Sequence, residues 1–376
     1  MTVAFYSSWN SQKIKIVLNY KGGCMKRMWL KGMLALAVVA GASAVSGPAM
    51  AAQFSYLDPG YTQEIYTGPT PTAGGYVLGL AFGSTGSLIT RSDYSNTLYE
   101  YSLTADTVVN GTNVHSYTAH AVSGLGSGRG MTNGTDGFIY ANTSSGVARI
   151  NTTTWTATVM PGSHGGSYGI GTLPDGRIVH STSSGQTWVL NPVTGTDTLI
   201  HSGYGIDGLT ISTNGEIFLA NLWNNRITVL NASGGVINSF PVSHGPDGIA
   251  FGDGSAFANN TDGTITRLNF AGPGFTGAVT ESIFASGGAY GDLASVGPDG
   301  AFYVSQYGPI GGIDWDNGAR TSDSVFVRIA AVGGGGFTPP PGVPENPTSS
   351  VPEPGTLLMV GSGLVGLAYS RKWMKK

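Results

Sequence analysis

Lysine is missing from the middle of this chain. Between residues 52 and 350 there is none, against 8 Arg and 20 Asp/Glu, a formal charge of −12. Every lysine lies in the first 31 or the last five residues. A segment with that balance has no basic face to displace the counterions of a nucleic acid or to hold it on anionic lipid. Neutral polysaccharide, a divalent cation or a cationic partner remain compatible. Cysteine is nearly absent: Cys24 is the only thiol, so everything after it lacks disulfides and Cys metal sites and depends on its core for stability. No window of helix length repeats apolar residues every three or four positions, which excludes a helical domain. A Ser nucleophile elbow, HExxH and an EF-hand loop are also missing. The Gly/Ser turns at Gly124 to Gly130 and Ser183-Ser184-Gly185 lack the helix and lysine of a phosphate-binding loop.

Long apolar runs occur only at the two ends. Met25-Lys26-Arg27-Met28-Trp29-Leu30-Lys31 is a basic leader and Gly32 to Val45 an Ala-rich apolar stretch; Ala49-Met50-Ala51 ahead of Ala52 is a small-x-small cleavage pattern. Together they read as a secretory signal peptide cut after Ala51. Residues 1–24 read as an over-extended start with Met25 or Met28 initiating; a long leader from Met1 is the alternative. At the other end stand Val351-Pro352-Glu353-Pro354-Gly355, an uncharged run from Thr356 to Tyr369, and a basic terminus with Arg371, Lys372, Lys375 and Lys376. Each proline fixes its own φ and keeps the residue before it out of the helical region. As a helix the uncharged run reaches about 20 Å, short of a ~30 Å hydrocarbon core. The basic end belongs on the cytoplasmic side.

This tail resembles the PEP-CTERM sorting signal of Gram-negative bacteria in its V-P-E-P sequence, Gly-containing apolar segment and basic end. The resemblance covers residues 351–376. It implies recognition by an exosortase, processing near Pro352-Glu353-Pro354, and export to the cell surface or to an exopolysaccharide or biofilm matrix. It says where the protein goes, not what it does there.

Between the ends a unit recurs about every 40 residues. Its clearest copies begin Asp207-Gly208-Leu209-Thr210-Ile211 and Asp247-Gly248-Ile249-Ala250-Phe251; others begin at Gly79, Gly130, Gly169 and Asp292. In each, a Gly opens an apolar strand, and a Gly-containing turn, Asn-Gly or Asp-Gly in most copies, makes a tight hairpin because such residues tolerate positive φ. A second apolar strand, a third, and a more polar fourth follow. One four-stranded sheet cannot bury both its faces, so units must stack. Radial stacking leaves few free edges. The expected fold is therefore all-β, a six-bladed β-propeller of four-stranded blades over 52–332, with Tyr61 to Tyr66 completing the last blade. A right-handed β-helix is the rival, but its coils are shorter. Gly333 to Ser350 reads as a Gly-rich hinge and Pro-rich spacer leading to the sorting signal.

The repeats resemble NHL and gluconolactonase-type propeller units, most clearly in "DGLTISTNGEIFLAN" and "YGIGTLPDGRIV". In the gluconolactonase type, the resemblance implies, the residue before each opening Gly lines the channel, and an Asn or Asp there helps hold a divalent metal. Asp207 and Asp247 match, with Asp292 close by alignment. Carboxylates converging on an axis suit Ca²⁺ or Mg²⁺, which would activate water for lactone or ester hydrolysis. The first three copies carry Leu78, Arg129 and Tyr168 instead, and Asp before Gly is also an ordinary turn residue. His164, His201 and His244 precede three first strands and read as loop histidines making ordinary hydrogen bonds; acid/base groups gathered at one mouth are the alternative. Tyr94, Trp155, Trp188, Trp223, Tyr307 and Trp315 are candidates for stacking on sugar rings or for packing between blades. The expected role is binding or scaffolding at the envelope or matrix, with polysaccharide or a matrix protein as partner; the alternative is a metal-dependent lactonase-like hydrolase.

Overall fold

The computed structural model describes residues 2–4 and 17–19, and residues 54–345 apart from 68–76, 93–94, 106, 110–111, 167, 183, 204, 253 and 308–323. Residues 1–49 and 50–376 are separate units. In the first, Thr2–Ala4 pairs antiparallel with Val17–Asn19. The expected signal peptide with its cleavage residues Ala49, Ala51 and Ala52 lies outside the described residues. So do Val351, Pro352, Glu353 and Pro354, the apolar run after them, and the basic end. No helix among the described residues is long and apolar enough to cross a membrane.

The second unit is a six-bladed propeller. Blade 1 consists of Val77–Phe82, Leu88–Ser92, Thr97–Tyr101 and Tyr117–Ala121, from the axis outward, and blade 2 of Met131–Asn133, Ile139–Thr143, Gly146–Asn151 and Thr156–Val159. Blade 3 is Ile170–Thr172, Ile178–Ser181, Gln186–Leu190 and Asp197–Ser202; blade 4 is Ile206–Ile211, Ile217–Asn221, Arg226–Leu230 and Val236–Pro241. Blade 5 contains Pro246–Gly252, Ser255–Asn260, Ile265–Phe270 and Val279–Ser286, and blade 6 contains Tyr290–Val296, Phe302–Tyr307 and Ser324–Ala331. The fourth strand of blade 6 is Tyr61–Thr67, which pairs along the whole of Ser324–Ala331. The ring is thus closed by a strand from before the first blade, as the repeats require. Tyr56–Leu57 adds an unforeseen fifth strand to blade 5.

The hairpins between first and second strands follow from their glycines. In blade 2 the N–H of Gly137 donates to the carbonyl of Gly134, and that of Gly134 to Phe138. The same pair of bonds recurs at Leu173–Arg177, Ser212–Glu216 and Gly297–Ala301. The fourth residue of each turn is a Gly at positive φ, between 68° and 94°, a conformation that costs other residues about 1–2 kcal/mol. The turn is a three-residue loop ending in a bulge, one residue longer than the tightest hairpin.

Strand alternation decides how the core is divided. Successive side chains of a strand point to opposite faces, so one strand serves two neighbours. Ile217 and Leu219 pack toward blade 3, while Phe218 and Ala220 pack toward blade 5. Six apolar clusters result, one for each gap between adjacent blades. Second strands are buried on both faces, whereas the outer strand of blade 1 has four exposed residues in five.

The expected free spacer is corrected over residues 333–345. Phe337 is buried in the cluster between blades 5 and 6, its N–H donates to Gly300, and that of Thr338 donates to Phe251. An aromatic side chain with an aromatic-lined gap within reach overrides the tendency of its Gly- and Pro-rich neighbours to stay solvated.

Candidate functional site

The opening glycines build the site. If Gly79, Gly130, Gly208 and Gly248 carried a Cβ, it would meet the carbonyl oxygen of Arg129, Tyr168, Asp247 and Asp292 at 2.3, 2.1, 1.6 and 2.4 Å. Gly169 is tied to its neighbour directly, its N–H donating to the Asp207 carbonyl at 2.7 Å. Each opening Gly therefore lets its inner strand close on the next blade's; the contacted residue stands before the next opening Gly at Arg129, Tyr168, Asp207 and Asp247, and is Asp292, followed by Leu293, in blade 6. Arg129, Tyr168, Asp207, Asp247 and Asp292 are brought into one ring around the axis. Leu78 is instead fully buried with Leu293 in the cluster where blade 6 meets blade 1.

Two further devices hold this ring. In blades 4, 5 and 6 the register of the inner strand shifts just where the ring residue stands, between Ile206 and Leu209, Pro246 and Gly248, and Gly291 and Ala294; in blade 1 the same shift falls at Leu78, between Val77 and Gly79. Such bulges re-aim a side chain out of the plain alternation. The second strands then clamp the ring's backbone. Asn142 Nδ2 donates to the carbonyls of Tyr168 and Gly169 at 2.8 and 2.9 Å, and Asn259 Nδ2 to that of Asp292 at 3.0 Å. The Asn ending each "YAN" or "FAN" stretch is thus a link between blades. Sequence reasoning saw the repeated Asn without assigning it this task.

The ring is acidic and dry. Asp207 is 9% exposed, Asp247 2% and Asp292 1%. Burial pushes the Asp207 carboxyl up to about 6 against a partial offset from Arg129. Asp247 is raised well above the carboxylate range by burial, with Asp292 and Asp207 adding to it and Arg129 opposing. Tyr168 is raised by burial and then by Asp207, and the Arg129 guanidinium sits 5.8 Å from its ring centre. One oxygen each of Asp207 and Asp247 is buried with no hydrogen-bond partner, a costly condition for a polar atom.

These carboxylates have the hard oxygens that Ca²⁺ or Mg²⁺ prefers, but the count falls short. Among the described residues no group of three or more His, Cys, Asp or Glu is arranged to hold a metal ion. Arg129 also already acts electrostatically on Asp207 and Asp247. By themselves these residues do not fit a metal cage. The two ring members that match no metal ligand, Arg129 and Tyr168, belong to the site all the same.

The histidines serve elsewhere. His164 Nδ1 is 2.9 Å from Asp197 Oδ2, and its ring stacks on Trp188 at 3.5 Å. His180, fully buried, bonds the same carboxylate at 3.1 Å. His244 Nδ1 is 2.5 Å from Asp262, His115 Nε2 is 3.0 Å from Glu64, and burial lowers His201. His164, His201 and His244 thus form no triad: two of them are taken by separate carboxylates. Trp155 stacks on His120 at 3.5 Å, whereas Trp223 is 74% exposed. Tyr94 and Trp315 lie outside the described residues. An open groove of about 830 Å³ runs between blades 3 and 4, lined by Arg177, Asn191, Thr196, Thr198 and Asn231. It lies by the turns between third and fourth strands, at the end of the blades away from the ring.

Residues 350–372 match the PEP-CTERM protein-sorting motif. The tail is an exosortase sorting signal. It implies an extracellular protein, exported and held by its C-terminus before cleavage. No curated protein matches the chain. Among solved structures, virginiamycin B lyase from Staphylococcus aureus is similar at 15% identity and TM-score 0.52, over 72% of this chain and 100% of that one. A protein assigned as a gluconolactonase matches at 13% identity and TM-score 0.51, over 75% and 96%. A luciferin-regenerating enzyme matches at 13% and 0.51, over 75% and 100%. At these identities the likeness is one of fold.

Proposed function

We propose that this chain is a binding or scaffolding propeller of the bacterial envelope or exopolysaccharide matrix, and that the acidic ring is its ligand site. Residues 25–51 act as the signal peptide, cut after Ala51. The run from Thr356 to Tyr369 holds the chain in the membrane, Arg371, Lys372, Lys375 and Lys376 stay inside, and an exosortase processes it at Val351-Pro352-Glu353-Pro354. The observation that carries the binding role is the pair of unpartnered oxygens on Asp207 and Asp247. Unsatisfied buried acceptors call for donors, so the ligand is donor-rich: hydroxyls of a neutral sugar or an amino group. Arg129 and Tyr168 beside them add donors for a ligand's own oxygens.

The same two oxygens favour a second reading, a divalent-metal-dependent lactonase-like hydrolase using Asp207, Asp247 and Asp292. It needs ligands that the described residues do not bring together. Elemental analysis of the exported chain, beside an Asp207→Asn/Asp247→Asn variant, separates the two. The binding reading expects no stoichiometric Ca²⁺ or Mg²⁺; one ion per chain, lost in the variant, would overturn it in favour of the hydrolase.

A further inference from the structure

After its last strand the chain does not leave the propeller. The N–H groups of Ala331 and Gly334 bond back to Gly335 and Ala331, and Gly333, Gly334, Gly335 and Gly336 all have positive φ. This turn sends the chain across the end of the blades where first and second strands meet. There Phe337 is 6% exposed, its ring centre 5.0 Å from Phe257 and 5.2 Å from Phe302. Its N–H bonds the blade 6 hairpin at Gly300, and that of Thr338 bonds the end of the blade 5 inner strand at Phe251. Pro339 borders a small cavity with Ile211 and Thr213 of blade 4. Gly342 stands so close to blade 2 that a Cβ would lie 2.0 Å from the Asn133 carbonyl. Val343 packs on the cluster between blades 6 and 1. The strap thus touches blades 6, 5, 4 and 2 in turn, which carries it over the axis. Three consecutive prolines, Pro339 to Pro341, stiffen the crossing.

We propose that this strap closes the hairpin end of the channel and fixes the propeller's orientation while it is anchored, with the hairpin end toward the membrane and the acidic ring facing away. Only residues 346–355 separate the strap from the apolar run that begins at Thr356. Fully extended at about 3.3–3.6 Å per residue they reach roughly 35 Å, less than twice the ~20 Å radius of gyration of a domain this size. A free 333–355 spacer would reach more than twice as far and allow tumbling; the docked strap does not. The channel becomes a well with one mouth, and that mouth points toward the matrix before release. The orientation rests on the reading that the C-terminus is membrane-held before cleavage.

Two single-cysteine reporters on a Cys24→Ser background test this: Asn214→Cys in the blade 4 hairpin and Asn224→Cys at the ring end, both exposed positions. Cells lacking the exosortase keep the full chain anchored, and a bulky impermeant maleimide reports access. Asn214→Cys is expected to label several-fold more slowly than Asn224→Cys, and the two to become equal in the released protein. A Gly/Ser insertion after Glu345 leaves the strap intact and is expected to abolish the difference. Equal rates in the anchored chain, or protection that survives the insertion, would overturn the orientation. A chain found unanchored by fractionation would instead sink the membrane reading on which it rests.

Discussion

Asp207→Asn tests the electrostatics of the ring. Burial lifts this carboxyl from an ordinary 3.8 to about 6, and the residue is 9% exposed. A raised carboxyl means that the folded chain holds a proton the unfolded chain releases between pH 3.8 and about 6. Stability therefore falls as pH rises through that window and stays lower above it. At ~1.4 kcal/mol per tenfold change in proton affinity, the charged form costs about 3 kcal/mol at pH 8 and about 1 kcal/mol at pH 4.5. Asparagine keeps the shape and the backbone bond to Gly169 but never ionises. The variant should melt roughly 6 °C above wild type at pH 8 and roughly 2 °C above it at pH 4.5, at ~2 °C per kcal/mol for a domain this size. Scanning calorimetry with EDTA present measures both. A variant that melts at or below wild type at pH 8, or a gap that does not narrow in acid, would refute the account of a dry, uncompensated carboxylate.

Other perturbations separate the structural parts. Gly208→Ala forces a Cβ to within 1.6 Å of the Asp247 carbonyl and should cost about 3 kcal/mol or more in urea unfolding. Gly137→Ala, with open space around it, should lose only about 1–2 kcal/mol through its positive φ. Phe337→Ala should cost about 3–5 kcal/mol and raise hydrogen exchange at Gly300 and the blade 5–6 gap; unchanged exchange there would contradict a docked strap. Asp197→Asn removes the charged acceptor of His180 and His164 and should cost about 1.5–3 kcal/mol at pH 7. These two histidines hold the Asp197 carboxyl below its usual 3.8 despite burial. Its contribution is therefore present above that pH and lost as pH falls below it, and the variant's deficit in denaturant midpoint should shrink in acid.

Much of the fold was legible because its causes are local. Asp136-Gly137, Asp175-Gly176 and Asn214-Gly215 are hairpin chemistry, and their spacing counts the blades. Tyr61 to Tyr66 could be assigned to the last blade because a ring with one strand missing has to close. Four of the five ring positions were legible too, as residues standing before glycines, and Asp292 by alignment with them. The packing of the strap was not: glycines and prolines near a terminus look alike whether solvated or docked, and only the aromatic gap between blades 5 and 6 explains Phe337. The part played by Arg129 and Tyr168 was also hidden: they stand before opening glycines as Asp207 and Asp247 do, but their side chains match no metal ligand. The histidines kept two readings open. Similar positions ahead of successive strands suggested convergence, but Asp197 and Asp262 lie on different blades and hold His164 and His244 apart.

The most direct test of the proposed role is retention of the released protein on exopolysaccharide isolated from the producing cells, wild type against Asp207→Asn/Asp247→Asn. Replacing both carboxyls by amides leaves the fold and every described surface aromatic in place. Wild type should be retained and eluted by a competing donor-rich sugar, while the double variant passes through. Equal retention of the two proteins would show that the acidic ring is not the binding site.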